Sequence, residues 1–170
     1  MAMNALYDVY VEQLKDMYSA EKQLLEALPK MAKAASTPEL QQAFEHHLQV
    51  TESQFQRVRA ILDELDENPG NKVCKAMEGL IEEGSEVVKK KGAPKAKDAA
   101  LILAAQKVEH YEIATYGGLR AYARTLGYDD AAQIIDEMLD EEYDADQTLD
   151  DIAEGGLLDA SLNEQAAKTR

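Results

Sequence analysis

Apolar residues recur three and four positions apart along most of the chain, the spacing that keeps them on one face of an α-helix. Tyr10, Leu14, Met17, Leu24, Leu25 and Leu28 form one such stripe, and Phe44, Leu48, Phe55 and Val58 form a second. Leu101, Ala105, Val108, Tyr116 and Leu119 make a third, and Ile135, Met138, Leu139 and Leu149 a fourth. No period-two alternation marks a strand. Helix punctuation then divides the chain. The first long helix is predicted over Asn4–Ala35. Ser36-Thr37-Pro38-Glu39 caps a second, with proline at its first position, and Asn68-Pro69-Gly70 stops it near Asp66. A shorter helix lies between Lys72 and Lys91, followed by a basic link over Lys90–Lys97. The third long helix opens near Asp98 and ends at Gly127, and the fourth runs from Asp129 to Gly155-Gly156. Each long helix spans about 40 Å at 1.5 Å per residue.

Two short turns imply two antiparallel hairpins, and the long piece between them can travel back along the bundle. An all-α, ferritin-like four-helix bundle with one crossover has that connectivity. One domain is expected over residues 1–156, with the crossover at about 67–97 and a C-terminal tail over 157–170. The hairpins also resemble each other. A shift of 91 residues lays Glu21 on Glu112, Thr51 on Glu142 and Tyr18 on Glu109 without a gap. Pro29 frees the Leu25 carbonyl and predicts a kink in the first helix. Gly117-Gly118 predicts a close helix approach, within the chain or across a dimer contact.

Several stripes carry polar residues where only apolar ones belong. Glu21 is at the centre of the first, and His47, Thr51 and Gln54 fall in the second. Glu109 and Glu112 fall in the third, and Glu142 and Asp146 in the fourth. All stand near mid-helix, so antiparallel packing brings them to one level. Carboxylates converging in an apolar core are strongly destabilised unless protons, basic side chains or metal ions neutralise them. No lysine or arginine is at the centre of these stripes. Carboxylate and imidazole donors suit iron, manganese and zinc, and two ions balance four or five carboxylates better than one. Di-iron bundles place Glu on two helices and Glu-x-x-His on the other two. Here Thr51-x-x-Gln54 and Glu142-x-x-Ala145 lack both histidines, for which Glu109, Asp146 and His47 could compensate. Taken alone, His47 reads more readily as a hydrogen-bonded interior histidine than as a ligand. His46 and His110 point sideways or outward, and Tyr18 is expected beside the cluster as a hydrogen-bond donor, an electron donor or a packed core residue.

A net charge of −15 with 30% charged residues disfavours nucleic acid and anionic membrane as partners. No apolar run of transmembrane length and no secretory leader pattern is present, so a cytoplasmic protein is expected. The single cysteine, Cys74, allows no internal disulfide and reads as a small packed residue.

The phrases "YSAEKQLLEALPKMAKAAS", "AMEGLIEEGSEV" and "AAQKVEHYEIATYG" closely resemble the bacterial YciE/YciF stress proteins of the ferritin-like superfamily. The match covers about Leu6 to Ala153. The resemblance implies a helical bundle, a homodimer, a dinuclear iron site and expression under stress. Glu21, Glu109, Glu112, Glu142 and Asp146 match the family's acidic positions, and Gln54 stands where the superfamily's histidine would be. Two functions follow: a metal protein with oxygen- or peroxide-linked redox activity, or a stress-induced structural or interaction protein whose acidic cluster is no working metal centre.

Overall fold

The computed structural model describes residues 3–155 and 161–168. Its helices are α1 (Leu6–Ala34), α2 (Pro38–Glu64), α3 (Lys75–Lys89), α4 (Pro94–Leu126), α5 (Asp129–Glu154) and α6 (Leu162–Ala167). No strand occurs among the described residues. No described helix is long and apolar enough to cross a membrane.

Local chemistry explains the boundaries. The backbone amides of Asn4 and Ala5 donate to the Asp8 carboxylate, which satisfies donors that the first turn of α1 leaves over. α1 continues through Pro29. At the end of α2, Asp66 adopts a left-handed φ of 54° and the Glu67 amide reaches back to the Leu62 carbonyl at 2.9 Å. Gly127 closes α4 in the same way, with a φ of 81° and the Tyr128 amide on the Ala123 carbonyl at 2.9 Å. Asp129 and Asp130 then stand at the positive end of α5.

One boundary differs from expectation. α4 begins at Pro94, inside the segment read as a basic link, because proline's fixed φ and missing N–H suit the first helical position. Asp98, expected to open that helix, is instead fully enclosed one turn inside it. Its carboxylate accepts four hydrogen bonds, from the backbone amides and hydroxyls of Ser36 and Thr37, at 2.8–3.0 Å. The turn between α1 and α2 is therefore bound to the start of α4.

α1 packs along α2 and α4 along α5, each pair joined by a short turn and so antiparallel. The hairpins meet through α1 against α4 and α2 against α5, and α3 covers the α1–α4 side. The core is apolar at both ends of the long helices. Met31, Leu40 and Leu101 fill it near the α1–α2 turn, while Tyr10, Leu62 and Ile135 fill it near the α4–α5 turn. There Tyr10 also stacks on Tyr128, with ring centroids 5.9 Å apart. Among the described residues no helix closely approaches Gly117 or Gly118, since a side-chain carbon at either would meet nothing within 4 Å. Part of the segment read as a tail is ordered. Ser161 caps α6 and donates to the Ala153 carbonyl at 2.9 Å, and the buried Leu162 seats the helix against the bundle. Gly156, read as part of the stop signal for the fourth helix, lies outside the described residues.

Candidate metal centre

Halfway along the long helices the apolar core gives way to acid. Glu21 comes from α1, His47, Thr51 and Gln54 from α2, Glu109 and Glu112 from α4, and Glu142 from α5. The helical period accounts for the convergence. Glu109 and Glu112 share a face three residues apart, as do Thr51 and Gln54. Glu21, Thr51, Gln54, Glu112 and Glu142 are fully enclosed, and Glu109 and His47 nearly so. One donor atom from each of His47, Glu109, Glu112 and Glu142 lies within 4.8 Å of the other three. These four side chains could hold a metal ion. Glu21 adjoins them through its contact with the Glu112 carboxylate.

The atoms that face one another here lack partners. Among the described residues, both oxygens of Glu112, Oε2 of Glu21, Glu109 and Glu142, and Nε2 of His47 are buried without a hydrogen bond. Thr51 Oγ1 and Gln54 Oε1 share that condition. Each such atom costs about 1–3 kcal/mol, and more when charged. Burial, followed by the charge of Glu142, pushes Glu21 up to about 8 against the opposing phenol of Tyr116. Burial and then Glu142 also hold Glu109 and Glu112 well above the usual carboxylate range. Burial lowers His47 despite Glu142, which keeps the imidazole neutral and able to donate a lone pair. Without a cation these carboxyls take up protons, whereas a divalent ion would neutralise them and supply the missing partners.

The surroundings orient the donors. The Gln54 amide donates to Glu142 Oε1 and, at 3.1 Å, to Glu141 Oε2. Arg57 grips that same Glu141 oxygen, and its charge bears on Glu21. The stripes therefore concealed one cation near the cluster: Arg57, one turn beyond Gln54 on the flank of α2. The phenol that meets the carboxylates belongs to Tyr116, which donates to Glu21 Oε1. Tyr18, expected in that place, stacks on Phe55 at 4.6 Å and turns its hydroxyl to Arg59. In the sequence Tyr116 reads as apolar because its ring continues the stripe. Its position one turn after Glu112 was the available sign.

Asp146 is not among the four converging donors. It pairs with His110 Nε2 at 3.4 Å, and His110 is largely exposed, as its outward position predicted. Asp146 still raises Glu109 by its charge. Cys74 is buried and packed as expected, with its sulfur 3.0 Å from the Tyr111 hydroxyl.

Known proteins share this arrangement of helices. The family described as a domain of unknown function, DUF892, matches residues 5–166. Protein YciF of Escherichia coli K12 is 47% identical over 154 residues, covering 90% of this chain and 93% of its own. The crystal structure of YciF, described as an E. coli stress protein, superposes with a TM-score of 0.85 over 88% of this chain and 94% of its own. YcfI from Rhodopseudomonas palustris, described as a candidate structural protein, is 37% identical with a TM-score of 0.85, over 89% of this chain and 96% of its own.

Proposed function

The chain belongs to the DUF892 family, and on that premise we propose that it is a stress-response protein holding a carboxylate-bridged pair of metal ions. Glu21, His47, Glu109, Glu112 and Glu142 are the proposed ligands, with Asp146 at the margin. Iron is the first candidate, and manganese or zinc suits the same donors. The fold that goes with this reading is a ferritin-like four-helix bundle with one crossover, in a single domain. The carrying observation is the set of buried, unpartnered donor atoms on His47, Glu109, Glu112 and Glu142, one from each meeting within 4.8 Å. Four carboxylates opposite two divalent ions also balance in charge. Thr51 and Gln54 line the same space, and Gln54 sets the orientation of Glu142. If loaded with Fe(II), such a site would supply electrons for the reduction of dioxygen or peroxide.

A cytoplasmic homodimer belongs to the same proposal, and exposed Leu103 and Tyr143 offer apolar surface for the contact. A structural role is the second reading. It is favoured by the description of YcfI, a relative of equal structural similarity.

Elemental analysis of protein purified without chelator separates the two. Near two ions per chain, falling below one in Glu112→Ala, supports the metal centre. Absence of metal, together with an unchanged melting temperature on anaerobic addition of Fe(II), would overturn it.

A further inference from the structure

A cavity of about 130 Å³ lies between α2 and α5, and it ends on the acidic cluster. Its walls are Ala43, Phe44 and Val50 from α2 and Ala145 and Leu149 from α5. Its inner end is formed by His47 and Glu109. Both are more than nine-tenths buried, and His47 Nε2 and Glu109 Oε2 stand 3.4 Å apart with no hydrogen bond completed among the described residues. At its outer end stand His46 and Asp144, both exposed, with Glu141 beside them. Small side chains at residues 43 and 145 leave the gap that larger ones would close.

Size, lining and charge together select an occupant. A dry cavity of ~150 Å³ accommodates a benzene ring, so this one is far larger than dioxygen or peroxide requires. Its walls suit an apolar body, and the His47–Glu109 pair at its inner end suits one hydrogen-bonding group. Among the described residues no lysine or arginine lines it, while Glu141 and Asp144 border it, so a carboxylate or phosphate would meet repulsion and no counter-charge.

We propose that this cavity is the substrate pocket of the cluster, and that it takes a small uncharged molecule of one-ring size with a single hydroxyl or similar group directed at His47 and Glu109. The pocket rests on the metal-centre reading for its purpose, but its occupancy can be measured without metal. The probes are phenol, benzoate and hydrogen peroxide, added to the full chain in metal-free and zinc-loaded forms. Methyl NMR signals of Ala43, Val50, Ala145 and Leu149 report binding, and elemental analysis of the same samples reports metal.

Phenol is expected to shift these methyl signals saturably in at least one form, and benzoate to bind at least tenfold more weakly. Ala145→Leu and Ala43→Leu fill the cavity from opposite helices, and each is expected to weaken phenol binding at least tenfold while the helical circular dichroism persists. If one variant fails to fold, the other decides. Absence of saturable phenol shifts in both forms, benzoate binding equal to phenol, or a folded filling variant that binds phenol as before would each overturn the pocket. Peroxide shifting the same methyl signals to the same extent as phenol would also overturn it. Phenol binding without metal uptake defeats the metal centre alone, and metal uptake without phenol binding defeats the pocket alone.

Discussion

Asp98 and Glu112 are both acids of α4, and both are fully enclosed, yet their surroundings are opposite. The oxygens of Asp98 collect four hydrogen bonds from Ser36 and Thr37. Both oxygens of Glu112 are bare. The first is a buried charge whose lost hydration is replaced by the turn it holds, so removing it injures the fold. The second faces three further side chains that each carry an unpartnered donor atom, and the fold alone gives it no compensation. Burial does not distinguish a structural acid from a functional one. The supply of donors does.

That contrast breaks if the two acids respond alike to change. Asp98→Ala strands two amides and two hydroxyls in the α1–α2 turn, so it is expected to cost about 4 kcal/mol in urea unfolding, with or without metal. The second effect concerns pH. A carboxyl raised above its unfolded value of 4.5 contributes fully below that pH and loses its contribution as pH rises through the folded value. With Glu21 raised to about 8, metal-free protein should lose about 4 kcal/mol between pH 5 and pH 8.5, an effect of similar size. Chelator-treated samples melted across that range test it, and a flat profile would mean the cluster is neutralised otherwise. Glu112→Gln has the opposite sign to Asp98→Ala: at pH 8 it should stabilise the metal-free chain by about 1 kcal/mol while lowering metal content at least tenfold. Tyr116→Phe is the smallest, costing about 0.5–1 kcal/mol. Because the phenol favours ionised Glu21, its loss should also move the pH-dependent loss of stability to higher pH.

The acidic cluster's half of this contrast is legible in the sequence. Helical period assigns faces, and antiparallel turns assign levels, so the burial of Glu21, Glu109, Glu112 and Glu142 followed from their places in the stripes. Partners are another matter. The donors to Asp98 lie some sixty residues away in Ser36 and Thr37, and no local pattern announces them. Tyr116 read as a core ring because periodicity registers where a side chain stands and not where its hydroxyl ends. Arg57 lies off the stripe, and only the length of its side chain brings the guanidinium to Glu141. The start of α4 was misplaced because a lysine-rich segment looks like a linker, although Pro94 is a sound helix opener.

The fastening of α1 at its two ends has a mechanical consequence. Near its C-terminal end the turn beyond Ser36 is tied to Asp98, and near its N-terminal end Tyr10 rests on Tyr128. The other hairpin supplies the second partner in each case. Glu21 sits between these two anchors, so the hairpins cannot creep along one another without breaking both. A slip of one helical turn would carry Glu21 about 5.4 Å past Glu112, whereas metal–ligand distances tolerate only about 0.2 Å. The register of Glu21 against Glu112 is thus held from the ends, while contacts such as Gln54 on Glu142 set the orientation of the donor atoms.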